Sequence, residues 1–290
     1  MITDRLLSNR QKTLKSKISF SGIGLHTGIN AKVCVYPAPT DTGIIFIRTD
    51  KKDNNKIHAI WTNVSSTKLS TTISNKYDVS VATIEHLMSA LSGMHIDNAM
   101  IEINGPEVPI MDGSSEPFVK LIEKSGVKDQ DKKRKFIRVL KEVKIKYKDS
   151  YVSLKPNDQF SIDFEIDFPS SVINHQSCQL QMINGNYKKD ISKARTFGFE
   201  NEVDDLRKAG YALGGSLSNA VVVGKDKILN KEGLRYNDEF VRHKILDSIG
   251  DLYLAGCPVI GFFKGIKSGH KLNNDLLKEL LSNNSNWSYA

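Results

Sequence analysis

The chain has 290 residues, 39% of them hydrophobic and 26% charged, with a formal net charge of +8. That is the balance of a soluble globular protein with a real core, in one large domain or two moderate ones. The longest apolar stretch, Leu252 to Phe263, is interrupted by Gly256, Pro258 and Gly261 and is too short to span a bilayer, which excludes a transmembrane segment. Met1 to Lys17 is polar and basic without an apolar h-region, so no signal peptide is expected. Cys34, Cys178 and Cys257 form no CxxC pair, which excludes a disulfide framework or a thiolate zinc site and points to a reducing, cytoplasmic setting. Much of the charge excess lies in Lys132-Lys133-Arg134-Lys135 and in Lys141, Lys144, Lys146 and Lys148. No nucleic-acid-binding motif accompanies it, so a solvated linker and strand face is expected, with no nucleic-acid partner.

In chain order, Ile18 to Phe20 and Ala31 to Tyr36 read as strands joined by a loop, Gly22 to Gly28. The glycine spacing of that loop, and the strand-like alternation after it, reject a dinucleotide-binding turn. Ser80 to Ser92 has apolar residues at helical spacing and Gly93 as a stop. Ala99 to Ile103 is a strand, Pro106 to Gly113 a turn-rich loop, and Pro117 to Lys124 a helix that Ser114 or Ser115 can cap. Val127 to Lys135 is charged and lacks apolar residues after Val127, which predicts a linker between residues 1–128 and 136–290. Beyond it, Phe136 to Tyr147, Tyr151 to Leu154, Phe160 to Phe168, Ser177 to Met182, Ala220 to Val223 and Val259 to Phe263 read as strands. Asn201 to Ala209, Asp238 to Ala255 and Leu272 to Leu281 read as helices, and no repeat is visible. The pattern predicts an α+β protein of two domains, each a β-sheet with helices packed on one side.

The helix Asp238 to Ala255 carries the strongest chemical signal. His243, Asp247 and Asp251 recur every four residues and stack along one face, while Val241, Ile245, Ile249 and Leu252 take an apolar side. A histidine and a carboxylate one turn apart can bind one cation, and nitrogen plus oxygen ligands suit zinc. Of the seven histidines, His86 stands out as the missing ligand, because Glu85 precedes it within an apolar helix. Neighbours point about 100° apart, so His86 can hold the metal while Glu85 reaches water as a general base. Neither HExxH nor HxxEH is present, which disfavours the zinc proteases bearing those motifs. His270, in a glycine-flanked segment, can supply a second charged group; Asp251 can pair with it and raise its pKa. His58, His95 and His175 are read as having no role in the site.

Five segments carry a family resemblance: Ile84 to Leu91, Gly105 to Ser114, Arg195 to Phe199, Val241 to Asp247 and Ser268 to Asn274. In one order from about residue 12 to 282, the chain resembles the UDP-3-O-acyl-N-acetylglucosamine deacetylases of lipid A biosynthesis in Gram-negative bacteria. The resemblance implies two facing α+β domains with the active site between them. It implies that His86, His243 and Asp247 bind zinc, with Fe(II) fitting the same ligands. Glu85 would be the base, His270 oriented by Asp251 the acid or charged partner, and Thr196 the oxyanion donor. Lys244 would lie near the anionic groups of a UDP-linked acylated amino sugar, with Phe168 and Phe199 at the uridine pocket and Phe197 also binding substrate. Ala212 to Leu217, with Gly214 and Gly215, would form the passage for the acyl chain. The Gly105 to Ser114 loop is expected to be structural, and His26 to reach toward the cleft. Ser70 stands where many members have a cysteine near the metal. A monomer is expected, since nothing in the sequence demands association.

Overall fold

The structure is a computed structural model and describes residues 10–182 and 185–290; most of the basic N-terminal stretch read above therefore lies outside the described residues. Alternating burial builds two five-stranded sheets. In Asn30–Pro37, Ala31, Val33 and Val35 point inward, as do Ile44 and Phe46 in Ile44–Arg48. The first sheet runs Ile18–Ile23, Asn30–Pro37, Ala99–Ile103, Ile44–Arg48, Lys56–His58. The second runs Val143–Tyr147, Ser150–Lys155, Phe262–Ile266, Ser161–Asp167, His175–Gln181. In both, the central strand is antiparallel to the second strand of the order and parallel to the fourth. A helix precedes each central strand and another follows it: α1 (Glu85–Gly93) and α2 (Glu116–Ser125) in the first half, α4 (Glu239–Leu252) and α5 (His270–Ser282) in the second. The same unit thus occurs twice, although no repeat is visible in the sequence. Strand order and direction need only matching polarity patterns, not matching residues. A shorter helix, α3 (Val203–Lys208), lies in the insert before α4.

Helices α1 and α4 are buried along most of their length and pack against each other. Their crossing is tight enough to demand glycine: a Cβ on Gly250 would lie 2.1 Å from the Glu85 carbonyl oxygen. Replacing Gly250 by Ala forces the two backbones apart and destabilises the fold by about 1–3 kcal/mol, the usual cost of overpacking. A thermal or denaturant melt checks this; an unchanged midpoint would contradict the contact.

Several boundaries differ from the sequence reading. The charged segment predicted as a linker forms a strand, Val127–Lys133, antiparallel to Arg10–Leu14. Strand pairing uses backbone groups, so an exposed ribbon can carry charge on both faces, and Lys12 and Asp129 pair across this one at 3.7 Å. The first helix starts at Glu85, not Ser80. Ser80–Val81 pairs with Thr72–Ser74, and the Ala82 backbone is engaged by Pro106 and Val108. Phe136 to Tyr147 breaks into Ile137–Val139 and Val143–Tyr147, and the run after Pro258 splits at Gly261 into strands of two different sheets. Of the two capping candidates, Ser114 accepts the Glu116 N–H at 3.2 Å, while the Ser115 hydroxyl donates to the His86 carbonyl at 2.8 Å. Lys144, Lys146, Asp163, Glu165 and Lys264 alternate with the buried residues of the second sheet and occupy its outer face. No helix among the described residues is long and apolar enough to cross a membrane. The three cysteines are free.

Candidate active site

The first turn of α1, the middle of α4 and the first residue of α5 meet in one cavity of about 280 Å³. Glu85, His86, His243, Asp247 and His270 line it with Thr196 and Lys244, and Leu25, Leu69, Phe168 and Phe197 supply apolar wall. Helical spacing explains the α4 contribution: His243 and Asp247 are one turn apart, and His243 Nε2 lies 3.3 Å from Asp247 Oδ1. The Gly250 crossing brings α1 alongside and puts His86 Nε2 3.5 Å from the same oxygen. One ligand atom from each of His86, His243 and Asp247 lies within 4.8 Å of the other two.

The chemistry of this trio fits a divalent cation. Asp247 Oδ1 is buried, faces both ring nitrogens and has no hydrogen-bond partner among the described residues. Asp247 Oδ2 is taken by Lys244 Nζ at 2.9 Å. His243 Nδ1 donates to the Ala194 carbonyl at 3.0 Å, so its Nε2 lone pair is free toward the site. Burial pushes the His243 pKa down to about 3, which keeps the imidazole neutral as a ligand must be. Burial works against the Asp247 carboxylate, but the Lys244 ammonium hydrogen-bonded to it holds its pKa well below the usual range.

Glu85 lies beside this trio, and burial raises its pKa, with His270 and His86 pulling the other way. His270 Nε2 faces Glu85 Oε1 at 3.9 Å, and His270 Nδ1 donates to Asp251 Oδ2 at 2.8 Å. Burial alone would lower His270, but the charge and hydrogen bond of Asp251 outweigh it and raise the pKa to about 9. Thr196 is fixed by its backbone, its N–H donating to Gly113 and its carbonyl accepting from Val221, each at 2.8 Å.

The aromatic residues cluster at one wall. Phe168 packs on Phe197 and Phe199 with ring centroids 5.6 and 5.7 Å apart, so Phe199 backs the cavity wall through Phe168. Lys244 sits on Asp247. The Ala212 to Leu217 segment docks on the first loop, where Leu213 N–H donates to His26 and Gly214 N–H to Leu25. Gly214 is required there, because a Cβ would lie 2.2 Å from the Gly24 carbonyl oxygen; Gly215 has more room. Leu213 and Leu217 leave 50% and 48% of their surface exposed. His26 packs on Tyr211 at 5.6 Å, and burial lowers its pKa.

Two contributors have no signal of their own in the sequence, and a third, Glu107, lies in the Gly105 to Ser114 loop expected to be structural. Thr71 donates its N–H to Glu85 and its hydroxyl to Asp251, yet it sits in an ordinary Ser/Thr-rich stretch. The Ala194 carbonyl acts through the backbone. Glu107 accepts hydrogen bonds from the His26 and Thr27 amides and from the Thr27 and Thr83 hydroxyls, which holds the first loop against the segment leading into α1. Asn273, which donates to Asp251 at 2.9 Å, was detectable, since it lies three residues after His270 on the same helix. His58 and His175 are exposed, and His95 lies against Arg134 at 3.2 Å with its pKa lowered to about 4 by burial and that cation. Ser70 is buried directly before Thr71.

The sequence profile of the family described as LpxC, UDP-3-O-acyl N-acetylglycosamine deacetylase, matches residues 11–282. The chain is 49% identical over 280 residues to the UDP-3-O-acyl-N-acetylglucosamine deacetylase of Pseudomonas entomophila, covering 96% of this chain and 92% of that one. It is 48% identical over 283 residues to the enzyme of that name from Acidithiobacillus ferrooxidans, covering 97% and 93%. A third, from Hahella chejuensis, is 49% identical over 280 residues, covering 96% and 92%. With matches over nearly its whole length, and a His/His/Asp set that can hold the metal of a metalloenzyme, the chain belongs to the UDP-3-O-acyl N-acetylglycosamine deacetylase family.

Proposed function

We propose that this protein hydrolyses the N-acetyl group of UDP-3-O-acyl-N-acetylglucosamine, the committed step of lipid A biosynthesis, releasing acetate and UDP-3-O-acyl-glucosamine. The observation that carries this is the meeting of His86, His243 and Asp247 with Glu85 and His270 in one buried cleft. His86, His243 and Asp247 would hold zinc, and Fe(II) suits the same donors. When bound, such a cation supplies Lewis acidity to water and to a carbonyl oxygen.

The protein's own groups do the rest. Glu85 takes a proton from water as its oxygen adds to the acetyl carbon, and the raised pKa of this carboxyl suits a base. The Thr196 hydroxyl donates to the oxyanion, and protonated His270 adds positive charge nearby. The C–N bond then breaks, and the amine leaves with a proton from His270 or with the one Glu85 accepted. Asp251 orients His270 throughout. Phe168, Phe197 and Phe199 would receive the uridine and Lys244 the anionic groups, while Ala212 to Leu217, including Gly215, lead the acyl chain out past exposed leucines. The halves 1–128 and 136–290 would act as two domains with the site between them. We place the enzyme in the cytoplasm as a monomer.

The test is acetate release from UDP-3-O-acyl-N-acetylglucosamine alongside analogues lacking the nucleotide or the O-acyl chain. Hydrolysis should occur, with kcat/KM falling at least about 10²-fold when either group is missing, because remote binding energy drives the reacting centre. Indifference to both deletions would instead indicate an amidase for another acylated sugar.

The His270 shift also fixes a pH dependence. Its folded pKa of about 9 lies above an ordinary histidine's, so activity that needs the imidazolium falls as pH rises through about 9. By linkage, the same interaction stabilises the fold fully below about pH 6.5 and is lost as pH rises through about 9. A kcat–pH profile whose alkaline limb lies near 7 would contradict this.

A further inference from the structure

Glu85 and Asp251 belong to different helices, and one residue outside both touches each carboxylate. Thr71 N–H donates to Glu85 Oε2 at 3.0 Å, and Thr71 Oγ1 donates to Asp251 Oδ1 at 2.6 Å. The Thr71 carbonyl accepts the Ile84 N–H at 3.3 Å, so both of its backbone groups serve the start of α1. That start has no side-chain cap of its own. The other Asp251 oxygen, Oδ2, accepts from His270 Nδ1 and from Asn273 Nδ2. With His270 Nε2 facing Glu85 Oε1, a closed ring runs from Glu85 through Thr71, Asp251 and His270 back to Glu85. Thr71 is buried, so a removed hydroxyl has no bulk solvent to replace it.

We propose that Thr71 is a positioning residue that holds the base Glu85 and the Asp251–His270 pair in register, its amide fixing one carboxylate and its hydroxyl the other. The inference rests on the deacetylase reading above. The backbone contact survives any substitution that keeps the fold, so the hydroxyl is the part a side-chain change can isolate. Without it, Asp251 Oδ1 loses its donor and the carboxylate, held then only through Oδ2, can turn about its Cβ–Cγ bond. Turning carries the His270 ring with it, away from Glu85. Thr71 touches no reacting atom, and its effect passes through Asp251.

The experiment compares wild type, Thr71→Val, Thr71→Ser and Thr71→Val combined with Asp251→Asn, measuring kcat, KM, bound metal and melting temperature. Val keeps the branched shape and removes the hydroxyl; Ser keeps the hydroxyl. We expect Thr71→Val to lower kcat about 10- to 100-fold with KM within about twofold and metal content unchanged, and Thr71→Ser to stay within about threefold of wild type. In the Asp251→Asn background the same change should cost less than about twofold, because residues acting through one another are not additive. Should Thr71→Val not fold, Thr71→Ala carries the same comparison. The proposal is overturned if the hydroxyl-free variant keeps kcat within about twofold of wild type, if Ser fails to rescue, or if the loss is undiminished in the Asp251→Asn background. A wild-type enzyme that releases no acetate would sink the deacetylase reading instead, a different outcome from active wild type with indifferent Thr71 variants.

Discussion

Glu85→Gln is expected to lower kcat about 10³-fold while leaving bound metal and KM nearly unchanged, within the range by which positioned acid–base groups accelerate reactions. Glutamine has nearly the size of glutamate, so the first turn of α1 and its contact with Gly250 are undisturbed. Its amide oxygen can still accept the Thr71 N–H. Lost is the ability to take a proton from water, and the new NH₂ also meets His270 as donor against donor. His86, His243 and Asp247 are untouched, so metal retention separates a lost base from a lost site. Acetate release measured with metal content decides the matter: an active Glu85→Gln enzyme would remove the residue from the mechanism.

His243→Ala is expected to have the largest effect, with metal affinity falling well beyond the 10- to 100-fold cost of changing an outer partner of a ligand, about 10²-fold as a lower bound. Deacetylation should fall below detection. The remaining His86 and Asp247 offer two donors, and Asp247 Oδ2 is already bound to Lys244. The change also removes a buried ring that packs edge-on against His86 at 4.9 Å and near Phe197 at 6.3 Å. Circular dichroism must therefore show an intact fold before the metal result is read. A folded variant that retains a full equivalent of metal would reassign the ligand set.

The legibility of the site differed residue by residue. His243, Asp247 and Asp251 could be placed together because a helix brings every fourth residue to one face, a relation internal to fourteen residues, Glu239 to Leu252. Glu85 and His86 were readable as a pair, and the apolar surroundings marked their helix as buried. Thr71 was invisible: its importance is contact with two helices, and nothing in a Ser/Thr-rich stretch distinguishes it. Gly250 lies within the predicted helix Asp238 to Ala255, but its role is clear only where α4 crosses α1. The charged stretch after Val127 misled because composition reports what side chains prefer, while Val127–Lys133 pairs through its backbone.

By itself the sequence determined the polarity pattern of the strands, the helix stripes, the spacing of the ligand candidates and the family resemblance. These are local or cumulative properties, written in neighbours a few residues apart. Tertiary structure alone decided that α1 and α4 meet at Gly250, that Asp247 Oδ1 faces two imidazoles, and that one threonine joins two carboxylates. It also decided that two halves without a visible repeat share one strand order. The reason is physical: hydrogen bonds and charge pairs depend on distances of about 3 Å between atoms that can be more than a hundred residues apart in sequence, and only packing sets those distances.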